Sequence, residues 1–389
     1  MTAKRENDRT ANRVPRPSAE TVTFWLMSTV IFFLILLYSE AAISSMKNAL
    51  ALCAKTVIPS LFPFMVASEL IIKSGAASSF GRLLAPALRR AFGVGGAGAS
   101  AILLGVLCGF PIGARSAASL YKSGQIDRRE LTKILCICNQ PSSAFVVSAV
   151  GISLFGSRAF GMLLLATTLL SATVIGIALR FLIPNHSEPP NDFQEQNAPP
   201  LFVLSLSDAV VDAARSMLAV CAFVCFFSTL VGTLSSLPIF QSAPAPLVAL
   251  TFGFFEMTGG TQCAALCSPS LGARLLCAGI VGWSGLSVHF QVMCLCQNTP
   301  VSYRPYFAAK AMQGALNVML LFVALRLFPA LLADRNDIPS ASLVSASRIW
   351  PIWLFAFLVA CLILALRKPP KENKIRQKKT AQKEQVGEE

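Results

Sequence analysis

Few residues of this chain are able to do chemistry, and those few stand out. Of 389 residues only 13% are charged, 54% are hydrophobic and two are histidine. Long apolar runs nevertheless contain Glu69, Arg115, Glu256 and His289. An ionisable group at membrane depth is costly, which makes each a candidate for function. A guanidinium grips a carboxylate through two parallel hydrogen bonds, so Arg115 is the candidate for meeting an anionic substrate. Snorkelling of Arg115 to the inner surface is the plainer alternative. Glu256 lies beside Thr258, Gly259 and Gly260 and could coordinate a coupling cation or proton, or accept a hydrogen bond from a substrate. Glu69 precedes Lys73 by one helical turn, and a helix-end ion pair between them is as good a reading as a site role. His289 suits a proton relay or a structural hydrogen bond, whereas His186 reads as solvent-exposed.

Other chemistries lack their signatures. There is no G-x-S-x-G elbow, no H-E-x-x-H, no P-loop and no dinucleotide fingerprint, so an enzyme is not expected. The glycines of Phe92 to Ser100 lead into an apolar run and lack the acid that a dinucleotide site needs. The 12 cysteines lie in or beside apolar runs without a C-x-x-C pair and read as small hydrophobes. No metal or cofactor is expected, and the coupling ion is open.

The elements that must position these residues are membrane helices. Apolar runs of about twenty residues match a hydrocarbon core about 30 Å thick. After a basic tail at 1–21 and a first membrane helix at 22–38, which reads as retained rather than cleaved, the runs fall at 44–73, 98–121, 131–155, 158–182, 209–235, 245–268, 271–297, 305–331 and 348–366. A basic tail at 367–389 follows. The formal charge of +14 sits largely in the two tails and in loops near Arg89, Arg90, Arg128 and Arg129, which is an orientation signal rather than a nucleic-acid one. Both termini are expected in the cytoplasm.

Four runs are broken. The first break is Gly109-Phe110-Pro111-Ile112-Gly113-Ala114-Arg115, and the second is Asn139-Gln140-Pro141-Ser142-Ser143. The third runs from Phe255 through Glu256, Thr258, Gly259 and Gly260 to Gln262, and the fourth holds Ser284 and Gly285. Broken backbone at membrane depth is tolerable only inside protein or beside a watery cavity. Residues 98–121 and 245–268 are therefore expected to be re-entrant helical hairpins. The breaks recur in order in two units, 44–182 and 209–331, separated by a linker at 183–208. Three crossings in each unit give the copies opposite orientations, and inverted repeats with matching broken helices point to a secondary transporter. Half-helix ends at the breaks would bind substrate through backbone groups. Gly109, Phe110, Pro111, Gly113, Arg115, Asn139, Gln140, Ser142, Ser143, Glu256, Thr258, Gly259, Gly260, Gln262, Ser284 and Gly285 are the expected substrate-binding residues.

Ile58 to Gly75, the Gly109 to Arg115 break, the basic loop Tyr121 to Glu130, the Asn139 to Ser143 break and the Phe254 to Thr261 segment resemble the sporulation integral membrane protein YlbJ family. That resemblance spans roughly 44–330. It implies a nucleoside-recognition gate domain, a fold like that of concentrative nucleoside transporters, and an endospore former. It also implies movement of dipicolinic acid, a pyridine dicarboxylate, out of the mother cell across the outer forespore membrane. A dianion would suit exposed amides plus Arg115, and its ring could lie against Phe110 or Trp283. The alternatives are a nucleoside or nucleobase carrier, and a non-transporting spore-envelope assembly protein.

Overall fold

The computed structural model describes residues 18–74, 76–184, 202–267 and 270–327. Most of the first basic tail, the linker at 185–201 with His186, the last expected membrane helix and the second tail lie outside the described residues.

Every regular element among the described residues is helical. Helices α1 (Ala19–Leu37) and α2 (Ser39–Leu52) lead through a π-helical turn at Cys53–Val57 into α3 (Ile58–Lys73), and α4 (Ala76–Phe92) follows. Helices α5 (Gly96–Cys108) and α6 (Phe110–Lys122) meet at Gly109. Helix α7 (Arg128–Cys138) stops at Asn139, and a π-helical stretch, Ala144–Leu154, precedes α8 (Arg158–Leu182). Beyond the linker come α9 (Phe202–Ser235) and the single turn α10 (Pro238–Gln241). Helices α11 (Ala245–Phe255) and α12 (Met257–Leu266) meet at Glu256, α13 (Leu271–Trp283) and α14 (Gly285–Leu295) meet at Ser284, and α15 is Tyr303–Leu327.

The helix starts are chemically marked. Ser18 caps α1, Asp127 caps α7, Ser157 caps α8 and Ser270 caps α13, each accepting from an amide that has no carbonyl partner in the first turn. Five described helical stretches are long and apolar enough to cross a membrane: Ala19–Leu37, Arg158–Leu182, Ser205–Ser235, Leu271–Leu295 and Tyr303–Leu327. Helix α1 buries none of its residues in the protein, as expected of a helix whose apolar sides face lipid.

Helix α4 was not expected from the sequence, which placed Arg89 and Arg90 on a loop. It turns Ala87, Leu88, Ala91 and Phe92 inward and leaves Arg89 exposed. The helix accommodates Pro86 and ends at Phe92 before Gly93, which has positive φ. It joins α5 at a bend of 88°.

At the first and third breaks the chain folds back on itself. Gly105 and Gly113 lie equally far on either side of Gly109, and a Cβ on Gly113 would come 2.7 Å from the Gly105 Cα. Gly253 and Gly260 flank Glu256, three residues before and four after it, and a Cβ on Gly260 would collide with the Gly253 backbone. Only residues without side chains let two helices approach this closely. Two apolar cores flank these pairs, one around Phe92, Ile102, Leu131 and Ile134 and the other around Val146, Phe160, Leu164 and Val281. Helices α8 and α15 contribute to both cores and tie them together.

Candidate functional site

The four breaks are adjacent in space, in two pairs. Gly109 has φ +97, a conformation natural to glycine, and a Cβ there would lie 3.2 Å from the Ser142 nitrogen, so the first break rests on the second. Gly285 has φ +81, and a Cβ there would lie 2.9 Å from the Met257 nitrogen, so the fourth break rests on the third. Its neighbour Ser284 is one of two residues other than glycine with positive φ among the described residues, at φ +77, and it is fully buried.

One cavity of about 400 Å³ is lined by residues of the first three breaks and by the turns just after the fourth. Gly109, Phe110 and Pro111 line it from the first, Ser142 from the second, Glu256 and Thr258 from the third, and Ser287 and Gln291 from the turns just after the fourth. Val57 and Leu61 on one side, with Val220 and Val224 of α9 on another, complete its wall. Helices α6 and α12 and the π-helical stretch begin at this cavity, and α14 reaches it at its third residue, Ser287, so the positively polarised first turns of four helices point to one region. Side chains cap neither α6 nor α14, leaving their first amides available. No Lys or Arg is in the lining.

Glu256 has a local occupation. Its carboxylate accepts from the Thr258 amide at 2.9 Å and the Gly259 amide at 2.6 Å, which makes it the N-cap of α12 as well as part of the cavity wall. Gln291 donates to Ser287 at 3.3 Å, and its Oε1 is buried without a hydrogen-bond partner. That acceptor could serve a ligand's N–H or O–H.

Arg115 does not line the cavity. Its Nε donates to Glu69, and its Nη1 donates to Ser216 and to the Asp212 carbonyl, the last at 2.5 Å. The Asp212 carboxylate is 3.9 Å from Nη2. The expected contact with an anionic substrate is thus replaced by an ion-pair cluster joining α3, α6 and α9. Lys73 belongs to the same cluster through Asp212 at 3.2 Å, so the expected Glu69 to Lys73 pair is not formed. The shorter route for both was a tertiary one, because α9 brings two aspartates to the end of α3.

Asn139 and Gln140 are fully buried behind the cavity rather than in its lining. Asn139 Nδ2 donates to the Tyr306 hydroxyl at 2.5 Å, and the same hydroxyl is 2.9 Å from His289 Nδ1. Gln140 accepts from Gln313 Nε2 at 2.6 Å. Lys310 Nζ donates to the Asn139 carbonyl at 2.9 Å and to Gln313 Oε1 at 2.8 Å. Asn317 Nδ2 donates to Thr168 Oγ1 at 3.0 Å. Lys310, Gln313 and Asn317 escaped the sequence reading, which took 305–331 as an ordinary span. Their spacing of three and then four residues puts them on one helix face, a polar stripe that could have been found.

The remaining expected site residues are placed apart. Gly113 and Gly260 serve helix contacts, Gly259 donates to Glu256, and Ser143 is half-buried outside the lining. Gln262 is exposed on α12. Ser284 and Gly285 shape the fourth break without lining the cavity. Phe110 is in the cavity wall, but Trp283 stacks on Phe254 with ring centroids 5.6 Å apart and is outside it.

Residues 54–184 match the family model described as Gate, nucleoside recognition. The chain is similar to that family over this segment, about a third of its length. This segment runs from the π-helical turn before α3 to the end of α8 and holds the first two breaks, while Glu256 and Ser284 lie beyond it. The chain is also similar to the sporulation integral membrane protein YlbJ of Bacillus subtilis (strain 168), with 28% identity over 338 residues, covering 76% of this chain and 82% of that protein. No solved structure matches. The relative's name and the five apolar helical stretches agree on a multi-pass integral membrane protein.

Proposed function

We propose that the chain is a secondary transporter that carries a small organic anion through the cavity at the four breaks. The observation that carries this reading is the shared wall of one cavity, lined by Gly109, Phe110 and Ser142 of the first unit and by Glu256, Thr258, Ser287 and Gln291 of the second. In this reading 98–121 and 245–268 are re-entrant hairpins, the two units are inverted repeats, and alternating access comes from one moving against the other. Converging helix N-termini suit carboxylates without any Lys or Arg in the wall. Phe110 and Phe145 offer flat apolar surfaces for a ring. Dipicolinic acid, a planar dianion, fits both features. The similarity to a sporulation protein suggests the outer forespore membrane, with flux out of the mother cell and both termini cytoplasmic. Arg115 has a supporting role in this scheme, holding α6 to α3 and α9.

Uptake of labelled dipicolinate into proteoliposomes tests the proposal. Saturable uptake, competed by unlabelled dipicolinate, is the expected result. Absence of uptake with every candidate solute would leave an assembly role in the spore envelope instead.

A second reading is favoured by Gln291 Oε1 and by the Glu256 carboxylate, since both are acceptors in a wall without cationic side chains. A nucleoside or nucleobase would supply donors to them, in keeping with the description of the Gate model. Competition between dipicolinate and a nucleoside in the same vesicles decides between the two.

A further inference from the structure

Lys310 is fully buried on α15, and its ammonium contacts no carboxylate among the described residues. Its two acceptors are the Asn139 carbonyl and Gln313 Oε1. The titratable side chains around it are Cys136 and Cys138 of α7, His289 of α14 and Tyr306 of its own helix, all of them neutral hydrogen-bonding groups in their ordinary state. A buried ammonium in such company is costly and calls for a reason.

The position of its acceptor supplies one. Helix α7 ends at Cys138, and Asn139 is its C-cap, so the carbonyl that Lys310 engages belongs to the negative end of a half-helix dipole. Unwound carbonyls and half-helix C-termini are where secondary transporters hold a coupling sodium ion or proton. Gln313 provides a second oxygen at 2.8 Å. The ammonium thus stands among oxygen donors at the broken end of a helix in one unit while tethered to a helix of the other.

We infer that Lys310 is a built-in cation: its ammonium fills the coupling-cation position at the broken end of α7, so the carrier cycles without a bound alkali ion. This rests on the transport reading above, and it assigns to Lys310 a role that a merely structural hydrogen bond would not have. The group is covalently tethered to α15 and cannot diffuse out of the site, so it holds the Asn139 to Ser143 break in place whatever the sodium gradient.

The experiment compares wild type, Lys310→Ala and Lys310→Arg in proteoliposomes with sodium chloride or choline chloride at equal ionic strength. Wild type and Lys310→Arg are expected to take up dipicolinate equally in both salts. Lys310→Ala leaves the oxygens of Asn139 and Gln313 open, and is expected to lose about tenfold or more in choline and to recover in sodium. A sodium requirement in wild type, or unchanged uptake by Lys310→Ala in choline, overturns the inference. Thermal unfolding in detergent provides a readout that does not need transport. Sodium should raise the melting temperature of Lys310→Ala by several degrees over choline and leave wild type unmoved. If no solute is transported, the transport reading falls while this measurement still decides the cation site: equal melting of Lys310→Ala in both salts rules it out.

Discussion

The backbone nitrogen of Ser142 lies so close to Gly109 that a methyl group added to the glycine would sit 3.2 Å from it. One missing side chain thus allows the break between α5 and α6 to rest on the break after α7, and both residues line the cavity.

Gly109→Ala should therefore be penalised twice, by its positive φ and by the Ser142 contact. We expect a loss of about 2 kcal/mol or more in stability and strongly reduced uptake. Gly124 also has positive φ, at +74, but a Cβ there meets nothing within 4 Å. Gly124→Ala should cost only about 1 kcal/mol and leave uptake intact. Thermal unfolding of the two variants side by side measures the difference, and equal destabilisation would remove the role given to the Ser142 contact.

Arg115 and Glu69 form a buried ion pair, with the Glu69 side chain only 6% exposed. Removing the cation alone strands that carboxylate, so Arg115→Ala should cost about 3–5 kcal/mol and lower the amount of folded protein in the membrane. Neutralising both in Glu69→Gln with Arg115→Gln should recover much of the loss. A double-mutant cycle on melting temperature checks this. If Arg115→Ala left stability intact and abolished uptake alone, Arg115 would belong to the substrate site after all.

Glu256 caps α12 and faces the cavity, and Glu256→Gln separates the two roles. An amide oxygen can still accept one of the two N–H groups, so stability should fall by no more than about 1 kcal/mol. Loss of a negative wall charge should tighten dipicolinate binding by about three- to tenfold if the substrate is an anion. Weaker binding of a nucleoside by the same variant, with dipicolinate binding unchanged, would favour the second reading. Equilibrium binding to purified protein distinguishes them.

The Tyr306 hydroxyl joins Asn139 of one unit to His289 of the other. Tyr306→Phe keeps the ring and deletes the bridge, leaving a buried amide and an imidazole nitrogen without their partner. We expect destabilisation of about 1–3 kcal/mol, read as a fall in melting temperature. An unchanged melting temperature would mean that the bridge contributes nothing to joining the units.

The sequence by itself determined the helical class, the membrane runs and the places where they break, because run length and Gly or Pro punctuation are local properties. The 158–182 run coincides with α8, and the breaks at Gly109, Asn139, Glu256 and Ser284 interrupt helices where the glycines, prolines and polar residues lie. The presence of α4 was hidden because Arg89 and Arg90 read as loop charges, whereas the helix turns Ala87, Leu88, Ala91 and Phe92 inward. Tertiary structure alone decided which polar groups meet. Arg115 and Glu69 are 46 positions apart and Lys310 and Asn139 are 171 apart, separations over which no periodicity carries information. A buried charge goes to whichever partner the packed helices bring within hydrogen-bond range, and for Arg115 that partner is Glu69 rather than a group in the cavity wall, while for Lys310 it is the broken end of α7.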